Sequence, residues 1–311
     1  MSIDLTNPIF NDEAAAWKYF EAIRWPDGPV CPHCGVINFA DPIIGKTARH
    51  GLYRCREPEC RKQFTATIGT IYEDSHIPMH KWMLATHLMC ASKKGISAHQ
   101  LYRTLGVGSY RTAWFMAHRI REAMRMGGLA PLGGAGGIVE ADETFIGRKE
   151  GSIKRRGHGH KNTVLSLIDR KSKKVRSFHV DGVSAATLVP MVIENVAEET
   201  AMMTDEAGAY FTLGDHFASH ESVNHKADEW VRDDVHTNTV EGYFSIFKRG
   251  MKGVYQHCSE KHLHRYVAEF DFRYNNRTAL GVEDSERASR AVKGANGKRL
   301  MYNQPRQAEN A

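Results

Sequence analysis

Two pairs of cysteines near the N-terminus constrain the fold of this 311-residue chain more than any other feature. Cys31 and Cys34 form the first pair, and Cys55 and Cys60 form the second pair, twenty residues further on. Because each pair falls on a predicted turn between short strands, the four thiolates can converge on one tetrahedral zinc ion and leave no ligand position open. Cysteines scattered through a small core are the alternative, but a segment with so little apolar surface needs a metal to fold. The spacing therefore predicts a zinc ribbon with a structural Zn²⁺ ion.

Helical patterns flank this ribbon. Residues 11–24 predict a short amphipathic helix with Asn11 as its N-cap, and residues 78–126 predict consecutive helices. The turn over 106–109 joins two of these helices as in a helix-turn-helix motif, whose second helix would present its exposed side chains to a DNA groove. We expect these side chains to be Tyr110, Arg111, Thr112 and His118. A plain pair of packed helices is the alternative, since any glycine turn between helices matches the pattern.

A glycine-rich segment, residues 127–137, interrupts every hydrophobic period and predicts the main domain boundary. It separates the N-terminal helix and ribbon (1–70) and the helical region (71–126) from a second globular part, residues 138–280. The last residues, 281–311, are polar and predict a loose tail.

An acidic residue within a strand pattern is the first sign of a catalytic site in the second part. Residues 138–146 alternate apolar and polar side chains, with Asp142 in the middle. A carboxylate is unfavourable in that position unless it is paired or has a function. Residues 164–168 and 175–180 predict two further strands, which complete an antiparallel meander.

Two more carboxylates follow at the ends of later elements. A helix over 185–197 is expected to cross over to a strand, 200–204, that ends at Asp205, and a helix over 236–249 places Glu241 one turn inside it. Each carboxylate taken alone would be a solvated surface group. Three that converge at one end of a mixed sheet can hold two Mg²⁺ or Mn²⁺ ions for an in-line phosphoryl displacement.

Four sequence motifs carry a family resemblance: residues 140–144, 204–210, 236–249 and 265–277. Over about residues 10–280 the chain resembles a bacterial insertion-sequence transposase, of the group with an N-terminal zinc ribbon and a ribonuclease-H-like (ISXO-like) DDE catalytic domain. The fold class implied is α+β or α/β, with the ribbon and a helix-turn-helix-like region followed by a ribonuclease-H-like mixed sheet.

The resemblance also implies roles for particular residues. Asp142, Asp205 and Glu241 would bind the two divalent ions, and Lys248, seven residues after Glu241, would contact the DNA of the transposon end. Members of this group carry Glu or Asn as the third residue, and Asn238 is the alternative here; we assign Glu241, because a carboxylate neutralises a cation better than an amide. The implied chemistry is a hydrolytic cut at the transposon end by a metal-activated water. The freed 3′-hydroxyl then attacks target DNA, without a covalent enzyme intermediate.

Basic residues cluster beside this predicted site. Residues 148–161 hold six Lys or Arg against one Glu, in the connection between the first two strands of the second part. Such a loop would contact DNA phosphates with salt-dependent affinity, and a simply solvated hairpin loop is the alternative. The residues predicted to contact DNA are Tyr110, Arg111, Arg148, Lys154, Arg155, Arg156, Lys161 and Arg249.

The formal net charge of +6 favours a polyanionic partner, and the chain has no apolar run long enough for a membrane helix. We therefore expect a cytoplasmic, nucleoid-associated bacterial protein that binds transposon ends and target DNA, as a homo-oligomer that brings two ends together. Two other functions fit less of the pattern. One is a domesticated or inactive DNA-binding protein that does not cut, and the other is a metal-dependent nuclease that stops after hydrolysis.

Overall fold

The computed structural model describes residues 4–45 and 47–301, which divide into two compact units. The first unit contains the described residues up to Ser92, Ile96–Arg125 and the described residues from Gly281 onwards. The second unit contains Lys93–Gly95 and Met126–Leu280. Within the described ranges, no helix has the length and apolar character needed to cross a membrane.

The described residues form eight α-helices and eight β-strands. The helices are α1 (Glu13–Arg24), α2 (Met79–Ala91), α3 (Ala98–Leu105), α4 (Tyr110–Met124), α5 (Ala185–Asn195), α6 (Asn238–Gly250), α7 (Leu263–Asn275) and α8 (Asp284–Lys293). The strands are β1 (Ala40–Pro42), β2 (Leu52–Cys55), β3 (Gln63–Thr65), β4 (Ile138–Ile146), β5 (Asn162–Asp169), β6 (Lys174–Val180), β7 (Ala201–Thr204) and β8 (Ser219–Ser222).

A three-stranded antiparallel sheet, in the order β1-β2-β3, forms the predicted ribbon. Tyr53 and Phe64 pair across β2 and β3 with their rings stacked, and Trp25, just after α1, packs edge-on against both rings. These few aromatic contacts are a small apolar core. The prediction of Asn11 as the cap of α1 is wrong, because the Asp12 side chain accepts the hydrogen bond from the Ala15 amide.

The helical region follows the predicted local signals closely. The Ser97 and Ser109 side chains cap α3 and α4, and Gly106 ends α3 in the left-handed conformation, with φ of 56°. These caps place a short turn between the two helices, as the sequence predicts.

The C-terminal segment differs from the loose tail predicted for 281–311, of which residues 302–311 lie outside the described ranges. Residues 284–293 form α8, which packs on α2. Arg287 is buried because it pairs with Asp284 at 2.6 Å and donates to the Cys90 carbonyl at 2.9 Å. Small residues complete the buried face of α8: Ala288, Ala291 and Val292. The polar composition concealed this helix, since its largest buried side chain is a charged one with its partners supplied by the fold.

The second unit is built on a five-stranded mixed sheet with the order β6-β5-β4-β7-β8. β4, β5 and β6 form the predicted antiparallel meander, and β7 and β8 add in parallel to β4. α5 makes the crossover from β6 to β7 despite Pro190 inside it. This arrangement confirms the predicted α+β class with a ribonuclease-H-like mixed sheet.

Both faces of the sheet are covered. One face packs on α5 and the short helical segment 208–215, with Leu188 and Leu213 in its core. The other face packs on α6 and α7, with Phe247 and Phe270 in its core. The sheet is therefore packed on both faces and carries side chains at the ends and in the middle of its central strands.

The glycine-rich segment predicted as a linker is packed within the second unit. The Leu132 backbone exchanges hydrogen bonds with Asn195 and Ala197, beside the end of α5. Gly133 has a φ of 81°, and a Cβ atom there would lie 2.2 Å from the Thr200 hydroxyl oxygen. Glycine is therefore needed at this position for close packing rather than for flexibility.

Candidate functional site

The four ribbon cysteines form one compact cluster. Their Sγ atoms all lie within 4.8 Å of one another, with 3.8 Å between Cys31 and Cys60 and 3.6 Å between Cys34 and Cys55. Four sulfur atoms at about 2.3 Å from a tetrahedral zinc ion are about 3.8 Å apart, so the cluster has the dimensions of a zinc site. The predicted convergence of these residues is confirmed.

A cavity of about 440 Å³ in the second unit brings Asp142, Asp205 and Glu241 together. The parallel register of β4 and β7 pairs Glu140 with Met203. Asp142 in β4 and Asp205, directly after the end of β7, each follow this pair by two residues and therefore lie at neighbouring positions. Glu241 reaches the same cavity from the first turn of α6. The remaining lining residues are Glu143, His225, Trp230, Phe244, Ser245 and Lys248.

The electrostatics of this cavity favour a bound cation. Burial raises the pKa of Asp142 well above its usual range, and the charges of Asp205 and Glu143 raise it further. Carboxylates that repel each other in this way are stabilised by hard divalent cations, for which oxygen ligands are suited. Among the described residues, the cysteines form the one group of three or more potential ligands that all lie within 4.8 Å of one another, so Asp142, Asp205 and Glu241 do not all lie that close together. That wider spacing is compatible with two ions.

Glu140 is a buried carboxylate to which the sequence pattern assigned no role. It is fully buried and accepts hydrogen bonds from the Thr239 and Val240 amides, both at 2.9 Å, so that it caps the N-terminus of α6. The Arg170 guanidinium donates to it at 2.6 Å and also to the His236 carbonyl at 2.8 Å. Glu140 thus ties β4 to the start of the helix that carries Glu241. Its place two residues before Asp142, on the same strand face, is the sequence signal for this role.

We predict that Glu140→Ala lowers the free energy of unfolding by about 3–5 kcal/mol. The substitution removes the carboxylate that pairs with the Arg170 guanidinium and leaves two helix amides without their acceptor. Glu140→Gln keeps one acceptor oxygen, so its loss should be smaller. Equilibrium denaturation in urea measures both, with Glu194→Ala, an exposed carboxylate on α5, as the matched control. Equal midpoints for Glu140→Ala and the control would refute this role.

Glu143, which lines the cavity, is a second carboxylate to which the sequence pattern assigned no role. The Tyr210 hydroxyl donates to its carboxylate, and burial raises the pKa of Glu143. Glu241 has a partner of its own, since the Thr237 hydroxyl donates to its Oε1 atom at 2.9 Å. These contacts hold both carboxylates in fixed orientations beside Asp142.

The other residues predicted for catalysis separate into two groups. Lys248 lines the carboxylate cavity, seven residues along α6 from Glu241. Asn238, the alternative third residue, is exposed at the start of α6 and does not line the cavity.

The predicted DNA-contacting residues lie outside the cavity. Four basic residues of the β4–β5 connection are exposed, and Lys161 is half-buried at its end. The exposed four are Arg148, Lys154, Arg155 and Arg156. Arg249 is exposed on α6 and its guanidinium bonds to Ser245.

The start of α4 also presents predicted DNA-contacting residues. Tyr110 is 42% exposed and stacks on His99 with ring centroids 4.2 Å apart, and Arg111 is exposed beside it. The prediction that His118 faces a DNA groove is wrong, because His118 is 1% exposed and packs against Trp114. His118 lies two helical turns beyond Tyr110, where α4 is buried in the core and the face that carries His118 is no longer exposed.

Each of the two units contains a range that matches a known protein family. Residues 134–275 match the ISXO2-like transposase domain family, and residues 11–63 match the transposase zinc-ribbon domain family. The first range holds the carboxylate cavity and the second holds the cysteine cluster.

Two relatives and one solved structure are similar to the chain. An uncharacterized protein in transposable element ISH50 of Halobacterium salinarum is 28% identical over 85% of this chain and 91% of the relative. An uncharacterized transposase-like protein of Haemophilus influenzae is 26% identical over 33% of this chain and 82% of the relative. A chain in the cryoEM structure of the simian T-cell lymphotropic virus intasome in complex with PP2A regulatory subunit B56 gamma is 13% identical with a TM-score of 0.29. That match covers 55% of this chain and 63% of the other chain, so this chain spans less than two thirds of its length.

Proposed function

We propose that this chain binds the terminal repeats of a DNA element, cuts the DNA there and joins the ends to target DNA, because residues 11–63 and 134–275 match the transposase zinc-ribbon and ISXO2-like transposase domain families. The observation that carries the proposal is the single cavity shared by Asp142, Asp205 and Glu241 in the ISXO2-like domain. Carboxylates from one strand, from the end of the neighbouring strand and from a helix are a donor set suited to a two-metal phosphoryl transfer.

The residues that line the cavity, and Thr237 beside it, have different roles in this proposal. Two Mg²⁺ or Mn²⁺ ions, when bound, supply Lewis-acid activation of the attacking oxygen and neutralise charge on the leaving oxygen. Asp142, Asp205 and Glu241 hold these ions, and Thr237 orients Glu241 through its hydroxyl. The Lys248 ammonium, on the same wall, neutralises a phosphate of the transposon end. We assign the third position to Glu241 rather than Asn238, since Glu241 lines the cavity and Asn238 does not.

DNA binding outside the cavity comes from three surfaces in this proposal. The exposed basic residues of the β4–β5 connection contact phosphates without reading sequence. Tyr110 and Arg111, at the exposed N-terminal end of α4, read the terminal repeat from a groove. The cysteine cluster holds a structural Zn²⁺ that shapes the ribbon. Joining two ends at one place requires that copies of the chain assemble on the DNA.

A strand-transfer assay tests this function. We expect the purified protein with Mg²⁺ or Mn²⁺ to join labelled DNA carrying the inverted repeats that flank its coding sequence to a plasmid. DNA with scrambled repeats is the control, and it should not be joined above background. Cutting without joining would favour a metal-dependent nuclease, and repeat binding without either reaction would favour a DNA-binding protein that does not cut.

A further inference from the structure

One large aromatic side chain is exposed to solvent beside the carboxylates. Trp230 lines the cavity, and 54% of it is exposed. Its ring lies on the ring of His225, with centroids 4.5 Å apart and planes inclined by 24°. The stacking on His225 therefore supports the indole while more than half of its surface remains available to a ligand.

The segment that carries Trp230 is anchored at several points. Val223 and Val235 are buried with Met203 in one small core, which fixes both ends of the connection between β8 and α6. The His225 amide donates to the Glu206 carboxylate at 3.0 Å, next in sequence to Asp205. The His225 ring nitrogen Nε2 lies 3.9 Å from the Glu241 Oε1 atom. Trp230 is thus held against the same elements that carry two of the three carboxylates.

We propose that Trp230 is a stacking platform for an unpaired nucleobase of the DNA end, a role that rests on the transposase function proposed above. A planar group attached to a phosphate fits this cavity, because the indole face can stack on a plane and the Lys248 ammonium can pair with a phosphate. A nucleotide meets both conditions, with its base on Trp230 and its phosphate toward Lys248. A base within a duplex has both faces covered, so the base that stacks here has left the helix.

Stacking on the exposed ring of Trp230 promotes the reaction by positioning the DNA. A base held on Trp230 limits how far the backbone on either side of it can move, so the bond to be cut stays beside the carboxylates. Because every base has a π-face, this contact is tolerant of base identity and does not replace recognition of the terminal repeat elsewhere on the protein.

A mutant cycle between the protein and the DNA tests the contact. The full chain is compared as wild type, Trp230→Ala and Trp230→Phe, and end DNA carries an abasic nucleotide at each position flanking the cut in turn. We expect Trp230→Ala to weaken end binding by about 5- to 150-fold, the range of one base stacked on an aromatic side chain. Trp230→Phe should retain most of the affinity. At one position, the abasic change should alter wild-type affinity but have no such effect on Trp230→Ala.

Phe211→Ala is the matched control, because Phe211 is an aromatic residue that is 76% exposed but does not line the cavity. It should bind and join ends as the wild type does. A merely structural role for Trp230 would give the same abasic effect in wild type and Trp230→Ala at every position, and that result overturns the proposal. A Trp230→Ala protein with changed oligomeric state in sedimentation and unchanged end binding overturns it as well, in favour of a contact between copies of the chain. If the wild type itself neither binds nor joins ends, the transposase function fails, and the stacking proposal fails with it.

Discussion

Replacing Asp142 by asparagine is expected to lower the rates of DNA cutting and joining by at least about a thousandfold, equivalent to about 4 kcal/mol of transition-state stabilisation. Asp142 stands in the middle of β4, beside the position of Asp205 and in the same cavity as Glu241. An amide of the same shape removes one negative charge from the donor set, so divalent cations bind more weakly. Single-turnover cutting and joining in Mg²⁺ measure the loss.

The same substitution should act in the opposite direction on stability. Burial and the nearby charges of Asp205 and Glu143 raise the pKa of Asp142, which means that its ionised form is unfavourable in the folded protein without a cation. We therefore expect Asp142→Asn to raise the thermal midpoint in EDTA. Mg²⁺ should stabilise the wild type and have less effect on the variant.

Asp215→Asn provides the control for both measurements, since Asp215 is an exposed carboxylate in the segment 208–215 outside the cavity. It should keep wild-type rates and the wild-type response to Mg²⁺. Joining by Asp142→Asn at a rate within tenfold of the wild type would remove Asp142 from the catalytic site.

Loss of a ribbon cysteine is the second large effect. Cys55 is fully buried and its sulfur lies 3.6 Å from that of Cys34. Structural zinc contributes about 10–16 kcal/mol to the folding of zinc-finger peptides, whereas the ribbon has only a few aromatic contacts for a core. We expect Cys55→Ser to lose bound zinc and to unfold residues 31–65, which limited proteolysis and metal analysis would detect.

Cys258→Ser is the matched control, because Cys258 is a half-buried cysteine outside the cluster. It should retain one zinc per chain and wild-type resistance to protease. The mixed sheet of the second unit has its own core, so Cys55→Ser should leave its cooperative unfolding in place. A Cys55→Ser protein that keeps a full equivalent of zinc would show that the cluster is not the zinc site.

Local signals in the sequence predict most of the elements. The serine caps and the turn glycine between α3 and α4 act within four residues of the helix ends they set. The alternation along 138–146 predicts β4 with its observed bounds, because successive side chains of a strand point to opposite faces of the sheet and the pattern therefore repeats every two residues. Such signals depend on neighbours in the chain, so they can be recognised without the fold.

Partners that are distant in the chain could not be recognised in this way. The buried Arg287 of α8 depends on the Cys90 carbonyl, 197 residues away, and its segment therefore reads as a polar tail. The Glu140 carboxylate depends on amides about a hundred residues further on. An exposed charged residue and a buried charged residue are written with the same letter in a sequence. Only the partners that the tertiary structure brings to the side chain distinguish the two.

The sequence by itself determined the chemistry available to this protein: four thiolates at zinc-ribbon spacing, and carboxylates on a strand, at a strand end and in a helix. The tertiary structure decided which of these groups meet. Parallel pairing of β4 with β7 sets Asp142 beside Asp205, and Glu140 holds the first turn of α6 so that Glu241, rather than Asn238, lines the cavity. The physical reason is that residue type and local period are properties of neighbouring residues, whereas strand order and buried hydrogen bonds are chosen by the packing of the whole unit.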